Sequence, residues 1–313
     1  MTATGPVRAR APAKINLALH VGPARPDGYH ELATVYQAVD LYDEVTAEPH
    51  PGGAVAVRTL DPQGAPVDGV ADDATHLAVR AAEALRERAG LRLGVRLTVR
   101  KRIPVAGGMA GGSADAAAAL VACDALWGLG TDHETLLDVA AGLGSDVPFA
   151  LVGETALGTG RGERVRPVPA AGRSTWLVVA SRPGLPAAEV YAAADRVRAG
   201  TDVGPPAVHP RLLDAVRAGD VPRLARGVRN DLQRAAVSLR PALADVLDAG
   251  VRAGARVGLV SGSGPTLLLL VRDDAEAASV GAAVGPVAER LLSGATLRIV
   301  HGPVAGATVV PAP

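Results

Sequence analysis

The stretch APAKINLALHV (residues 11–21) holds Lys14 and Asn16 two positions apart. The chain has only two lysines, Lys14 and Lys101, among its 32 basic residues, and only two asparagines, Asn16 and Asn230. Where arginine serves as the general surface cation, a retained lysine marks a place that calls for a compact ammonium. On a strand such a lysine can equally be solvated. A second stretch, PVAGGMAGGSAD (104–115), places Gly107, Gly108, Gly111 and Gly112 between a strand and a helix that starts near Ser113. Glycines let a backbone approach an anion, and a helix start offers unpaired N–H groups and a partial positive charge, which suits phosphate. The alternative is a glycine-rich helix start packed tightly on a neighbour. Asp146, in LGSDVPFAL, reads first as a turn residue, with an N-cap or a catalytic carboxylate as the other options. VSGSGPT carries Ser261, Gly262, Ser263 and Gly264, which suit a tight strand connection or a second small-residue loop pressed against the first. Lys101 precedes the glycine stretch, where it could face a phosphate or a base, or be an edge-strand charge.

Other chemistries find no support. The phosphate stretch is neither a Walker loop nor a dinucleotide fingerprint, because the Lys-Ser/Thr and the Gly-x-Gly-x-x-Gly spacings are missing. Protein-kinase and Gly-x-Ser-x-Gly signatures are absent. The seven histidines show no metal spacing, and the single cysteine, Cys123, lies in an apolar helical pattern that makes it a core residue. Thirty-two acids balance the 32 bases and aromatics are 2%, which argues against nucleic acid as a partner. No run reaches the roughly 20 apolar residues of a membrane span, and MTATGPVRAR has no signal-peptide core. A cytoplasmic protein without membrane attachment is expected, a monomer or homodimer.

These residues need elements to hold them. Alternation predicts a strand over 11–21, with Ile15, Leu17, Leu19 and Val21 on one face and Lys14, Asn16 and His20 on the other. Turn signals in PARPDGYHEL precede a second strand, TVYQAVDLYDEVTAE. A hairpin and loop, a helix (THLAVRAAEALRERAG) and the strand GVRLTVRKRI lead to the glycine stretch and a long alanine-rich helix. DHETLLDVAAGLG is a further helix, and GETALGTGRGERVRPVP reads as strand, turn and strand. Composition loosens near residue 170, which divides the chain into domains 1–170 and 171–313. Beyond it come the strand TWLVVA, helices between about residues 187 and 254, two strands around SGSG, a helix from Asp274 and a last strand TLRIV. The order suggests an α+β fold with helices on one face of a sheet.

In this order the motifs resemble the GHMP kinase superfamily of small-molecule kinases. PVAGGMAGGSAD is similar to its phosphate-binding motif and GLVSGSGPT to its C-terminal glycine motif. PAKINLALHV, RPDGYHEL, GSDVPF, GTGRGE and RNDLQ resemble the branch whose substrate is a cytidyl-diphosphate sugar alcohol. The resemblance spans roughly residues 11–266. It implies two domains, an N-terminal one of the ribosomal-protein-S5-like α/β type and a ferredoxin-like C-terminal one, with ATP and substrate in the cleft between them. It implies Lys14 and Asp146 as the catalytic pair, the acid accepting the hydroxyl proton and the lysine stabilising it and the charge near the attacking oxygen. Asn16, Tyr29, His30 and Asp146 would contact substrate, with His30 near cytosine. Pro104, Val105, Ala106, Gly107, Gly108, Met109, Ala110, Gly111, Gly112, Ser113 and Ala114 would wrap the ATP phosphates, with Lys101 close to the nucleotide. ATP would come with Mg²⁺, held mostly by phosphate oxygens and water, and Ser113 is the one protein candidate for a metal contact.

Two positions depart from the pattern. His76 stands where asparagine is common, on the nucleotide side, and Pro186-Ala187 replaces a Ser-Thr pair on the substrate side. Rival readings are another member of the superfamily, of homoserine or mevalonate kinase type, and a catalytically inactive nucleotide-binding regulator. Tyr29-His30 argues against the first and the Lys14/Asp146 pair against the second.

Overall fold

A computed structural model describes residues 5–311. Residues 1–4 of the N-terminal stretch read above as lacking a signal core, and residues 312–313, lie outside them. The first sheet is built on two long strands, β1 (Val7–Ala24) and β2 (His30–His50), paired antiparallel. Each is long enough to serve different neighbours along its two halves. β3 (Val55–Leu60), helix α1 (Leu77–Arg88) and β4 (Gly94–Arg100) follow, and β4 pairs with the later half of β2. Helix α2 (Gly111–Trp127) crosses beneath β1 and β2. Its sequence is apolar on all sides, the mark of a buried helix, and Ala114 and the run Ala116–Leu120 are indeed buried. Small residues on both partners, such as Ala11 and Ala13 against α2, let helix and sheet approach closely. Helices α3 (His133–Leu143) and α4 (Val147–Val152), then β5 (Thr155–Gly160) and β6 (Arg164–Pro167), complete this half, with β5 on the earlier half of β2.

The second sheet begins with β7 (Ser174–Ala180), followed by α5 (Ala187–Val197), α6 (Pro210–Ala218) and α7 (Val221–Gly227). β8 (Arg229–Asn230), α8 (Gln233–Leu239), α9 (Ala242–Arg252), β9 (Val257–Val260), β10 (Leu267–Val271), α10 (Asp274–Leu291) and β11 (Thr296–Gly302) come next. The strands are ordered β11-β7-β10-β9, the ferredoxin-like arrangement of a split β-α-β fold. The apolar runs TWLVVA and LLLLV reflect burial on both faces. Leu177, Val179, Leu267 and Leu269 enter a core under α5, α8, α9 and α10, while Trp176, Val178, Leu268 and Leu270 join the core of the first half. The helices thus cover one face of this sheet, and the first half of the molecule covers the other.

Two features differ from the sequence expectation. The chain does not end on TLRIV: β12 (Thr308–Val310) returns to the first sheet and pairs with β1, so a single break near residue 170 omits this crossing. β8 also joins β1, in parallel. In addition, β1 does not alternate cleanly. A bulge between Asn16 and Ala18 makes Leu17 an extra residue, and a bulge reverses the faces beyond it. Ile15, Leu17 and Ala18 face the first core, whereas Leu19 and Val21 belong to the second. Leu19 therefore lies with Lys14 and Asn16 on the wall of a cleft, not opposite them.

Candidate active site

Lys14 and Asn16 sit two positions apart on β1, opposite Ala38 and Tyr36 of β2, with Thr34 opposite Leu19 beyond the bulge. The Lys14 Nζ donates to Asn16 Oδ1 at 2.8 Å and lies 3.7 Å from Asp146 Oδ2. Asn16 Nδ2 donates to Thr34 Oγ1 at 2.7 Å, and that hydroxyl donates to the Ala18 carbonyl at 2.6 Å. This chain of bonds fixes the amide so that its oxygen faces the ammonium. Asp146 occupies the N-cap position of α4, yet its side chain caps nothing. Pro148, two residues on, has no N–H to offer it. The carboxylate is free to accept from the Tyr36 hydroxyl at 3.0 Å. Burial and the adjacent Asp146 charge push the Tyr36 phenol well above its ordinary range, so it stays a donor.

The glycine stretch lies directly beside this group. The Lys14 N–H donates to the Met109 carbonyl at 3.2 Å, tying the loop to β1. α2 starts at Gly111, and Ala106 and Ala110 hold φ of 52° and 58°, left-handed values that cost energy in a residue with a Cβ. The SGSG connection presses on this loop. A Cβ on Gly108 would stand 2.1 Å from the Ser261 carbonyl oxygen, and the Ser261 hydroxyl donates to the Gly108 carbonyl at 3.1 Å. Asn230, of RNDLQ, holds the connection from behind, its amide donating to the Val260 and Gly262 carbonyls at 2.7 Å each. Of the two readings of SGSG, the structure has it packed on the first loop.

A cleft of about 820 Å³ joins these elements, with Lys14, Asn16, Asp146, Gly107, Gly108 and Gly262 on its wall. A side chamber of about 300 Å³ opens beyond the loop and shares Pro104, Ala106, Gly111 and Gly112 with it. A groove of about 910 Å³ between α1, α3 and β3 carries none of the site residues expected from the sequence. The far end of the cleft holds Tyr29, exposed, and His30, buried. His30 Nε2 is 2.9 Å from Asp195 Oδ1, its ring is 5.0 Å from that of Tyr191, and the Arg161 guanidinium lies 4.9 Å over Tyr29.

Some expected residues are placed differently. Met109 and Ala114 are fully buried in the first core, and Ser113 lines neither cavity. Their side chains turn inward or away because the loop closes into α2 there, so within 104–114 the cavities are lined by Pro104, Val105, Ala106, Gly107, Gly108, Ala110, Gly111 and Gly112. Lys101 does not offer a free cation. Its ammonium is enclosed between Asp43 and Asp115, in contact with both. Burial pushes the Asp43 carboxyl up to about 7 and moves Asp115 the same way. Lys101 is raised in spite of burial, by the two carboxylates. β4 lies between β2 and β3, so the edge-strand alternative does not hold for Lys101 either. His76 caps α1, its Nδ1 accepting from Ala78 N–H at 3.1 Å, and burial followed by the Lys101 charge lowers its pKa. Pro186 and Ala187 form an apolar part of the cleft wall at the start of α5.

Sequence reading passed over Thr34, Tyr36, Arg161, Tyr191 and Asp195. The period-2 spacing of Thr34 and Tyr36 and the i, i+4 spacing of Tyr191 and Asp195 were visible signals. The strand register that sets Tyr36 opposite Asn16 was not.

The two-domain fold, with two glycine-rich connections packed together beside the cleft, is that of the GHMP kinases. Residues 76–154 match the GHMP kinases N terminal domain and residues 212–286 the GHMP kinases C terminal. A 4-diphosphocytidyl-2-C-methyl-D-erythritol kinase of Salinispora tropica is 51% identical over 311 residues, covering 98% of this chain and 95% of that protein. Its counterpart in Streptomyces avermitilis is 50% identical over 306 residues, covering 97% and 99%. A crystal structure of 4-(cytidine 5'-diphospho)-2C-methyl-D-erythritol kinase is 32% identical, with a TM-score of 0.73 over 94% of this chain and 99% of that one. Homoserine kinase from Cytophaga hutchinsonii shares the fold at 18% identity, with a TM-score of 0.74 over 99% of each chain. The chain belongs to the 4-diphosphocytidyl-2-C-methyl-D-erythritol kinase family.

Proposed function

We propose that this enzyme transfers the γ-phosphoryl group of ATP to the 2-hydroxyl of 4-diphosphocytidyl-2-C-methyl-D-erythritol, in the non-mevalonate route to isoprenoid precursors. The observation that carries this reading is the Lys14–Asp146 pair, set between the phosphate loop and the Tyr29-His30 end of one cleft. The triphosphate lies along Gly107–Gly112 at the start of α2, and the nucleoside occupies the side chamber. The acceptor hydroxyl stands at Asp146, which takes its proton as the new O–P bond forms and the bond to the departing ADP breaks. Lys14 offsets negative charge at the attacking oxygen, and Tyr36 and Asn16 hold the pair in place. Positioning and electrostatics dominate such transfers.

His30, Tyr191 and Tyr29 supply an imidazole and two aromatic faces for a base, and Asp195 orients the imidazole. Homoserine and mevalonate carry no base to use them. Among the described residues no group of three or more His, Cys, Asp or Glu could hold a metal. Since Ser113, the protein candidate from the sequence, lines neither cavity, Mg²⁺ would then be carried in by ATP on phosphate oxygens and water. Bound there, it would neutralise phosphate charge. No helix among the described residues is long and apolar enough to cross a membrane, and the enzyme is assigned to the cytoplasm. The test is ADP release with the cytidyl-diphosphate alcohol, homoserine and mevalonate offered separately. Turnover with the first alone is expected, and equal or greater turnover with either of the others would overturn the reading.

A further inference from the structure

Lys101 and Asp115 line the side chamber, yet the scheme above gives the ion triad they form with Asp43 no task. Asp43, on β2, is fully buried. One carboxylate oxygen accepts from the Arg102 and Ile103 N–H groups at 2.5 and 2.9 Å, where the chain enters the phosphate loop. The other contacts the Lys101 ammonium. Asp115 lies just past the first turn of α2, after the chain leaves the loop, and accepts from the same ammonium at 2.7 Å. One lysine thus bridges the sheet, the entry of the loop and its exit. Between these points the loop carries two non-glycine residues in left-handed conformations, which persist only where the surroundings over-determine them. The fit is close: a Cβ on Gly111 would come within 3.1 Å of the Lys101 Nζ.

We propose that Asp43, Lys101 and Asp115 form a positioning device that clamps both ends of the phosphate loop, setting how well the loop accepts a triphosphate without reading the base. The Lys101 side chain is 6% exposed and its ammonium is already engaged by two carboxylates, so it has little left to offer a ligand. Lysine is needed because a compact ammonium fits between the two acids, where a planar fork would collide with the start of α2.

This inference rests on the glycine stretch being the phosphate site proposed above. The experiment compares wild type, Asp115→Ala, Asp115→Asn and Lys101→Met. Calorimetry with adenosine 5'-(β,γ-imido)triphosphate and Mg²⁺ needs no acceptor, so it stands even if the cytidyl-diphosphate alcohol proves not to be the substrate. Steady-state kinetics with ATP and with GTP then split KM from kcat. Asp115→Ala should weaken analogue binding and raise the ATP KM at least about tenfold, leaving the acceptor KM within about twofold. Asp115→Asn, which keeps an acceptor for Lys101, should recover most of the loss. Lys101→Met should behave like Asp115→Ala, and if it fails to fold the two Asp115 variants carry the test. Because positioning is indifferent to the base, ATP and GTP should lose the same factor in kcat/KM. A folded Asp115→Ala protein with unchanged nucleotide binding would overturn the proposal. So would a selective loss for ATP over GTP, which would make the triad a direct base contact.

Discussion

At the scale of single residues, Asp146 and Lys14 divide the labour by what surrounds them. The Asp146 side chain caps nothing and is held by Tyr36, so an amide in its place keeps the shape and removes the proposed base. Asp146→Asn should lower turnover by at least about two orders of magnitude while ATP binding persists, and near-normal ADP release would remove the base from the scheme. Lys14 is confined from above, because a Cβ on Gly262 would already lie 3.4 Å from its Nζ. A guanidinium is larger and planar, so Lys14→Arg should lose at least about tenfold in kcat, measured in the same assay. Normal turnover by that variant would show that the scarce lysine has no special fit. His30 is buried against Asp195 and Tyr191 at the far end of the cleft. His30→Ala should raise the acceptor KM about tenfold with the ATP KM little changed, the cost of one hydrogen bond and its ring contacts. Equal changes in both would move His30 out of the acceptor pocket.

At the scale of elements, the site depends on two loops that neither β1 nor α2 holds alone. Asn230 spans the SGSG connection by two donated bonds and accepts from Leu232 N–H at 2.8 Å. Removing it leaves buried carbonyls unmet, which costs about 1–3 kcal/mol each before any relaxation. Asn230→Ala should therefore lower the urea midpoint and, because SGSG presses on Gly108, raise the ATP KM as well. A loss of stability with an unchanged ATP KM would separate the two loops. RNDLQ and GTGRGE were legible as family motifs, yet the task of Asn230 was not. It acts on carbonyls 30 and 32 positions away, and no local spacing encodes that pairing.

At the scale of the molecule, the two halves are joined where β8 runs beside β1. Asp231 accepts from the Val21 N–H at 3.1 Å and lies 3.5 Å from Arg198, just past α5. Burial works against its ionisation, but the His20 ring 3.7 Å away, the bond from the Val21 N–H and the Arg198 charge hold its carboxyl below the usual range. A carboxyl depressed in the folded state contributes stability above its unfolded pKa, and the contribution is lost as pH falls through the folded value. Unfolding midpoints taken from about pH 5 to about pH 3 should thus fall more steeply for wild type than for Asp231→Asn. Parallel curves would show that the carboxylate does not link the halves.

By itself the sequence determined the superfamily and most strands and helices, and through that resemblance it raised the expectation that Lys14 and Asp146 pair. The elements rest on local chemistry, glycines at a helix start and alternation along a strand, whereas Asp146 taken alone read as a turn residue. Only the tertiary structure decided which faces those elements present. The bulge at Leu17 reverses β1 because one extra residue breaks a period of two, and sequence alternation cannot register an unpaired residue. Tyr36 reaches Asp146, β12 returns to β1, and Lys101 is enclosed by Asp43 and Asp115 through contacts between distant parts of the chain. The two lysines looked alike in the sequence. Packing directs one towards the cleft and buries the other beneath the loop, where its charge is already met.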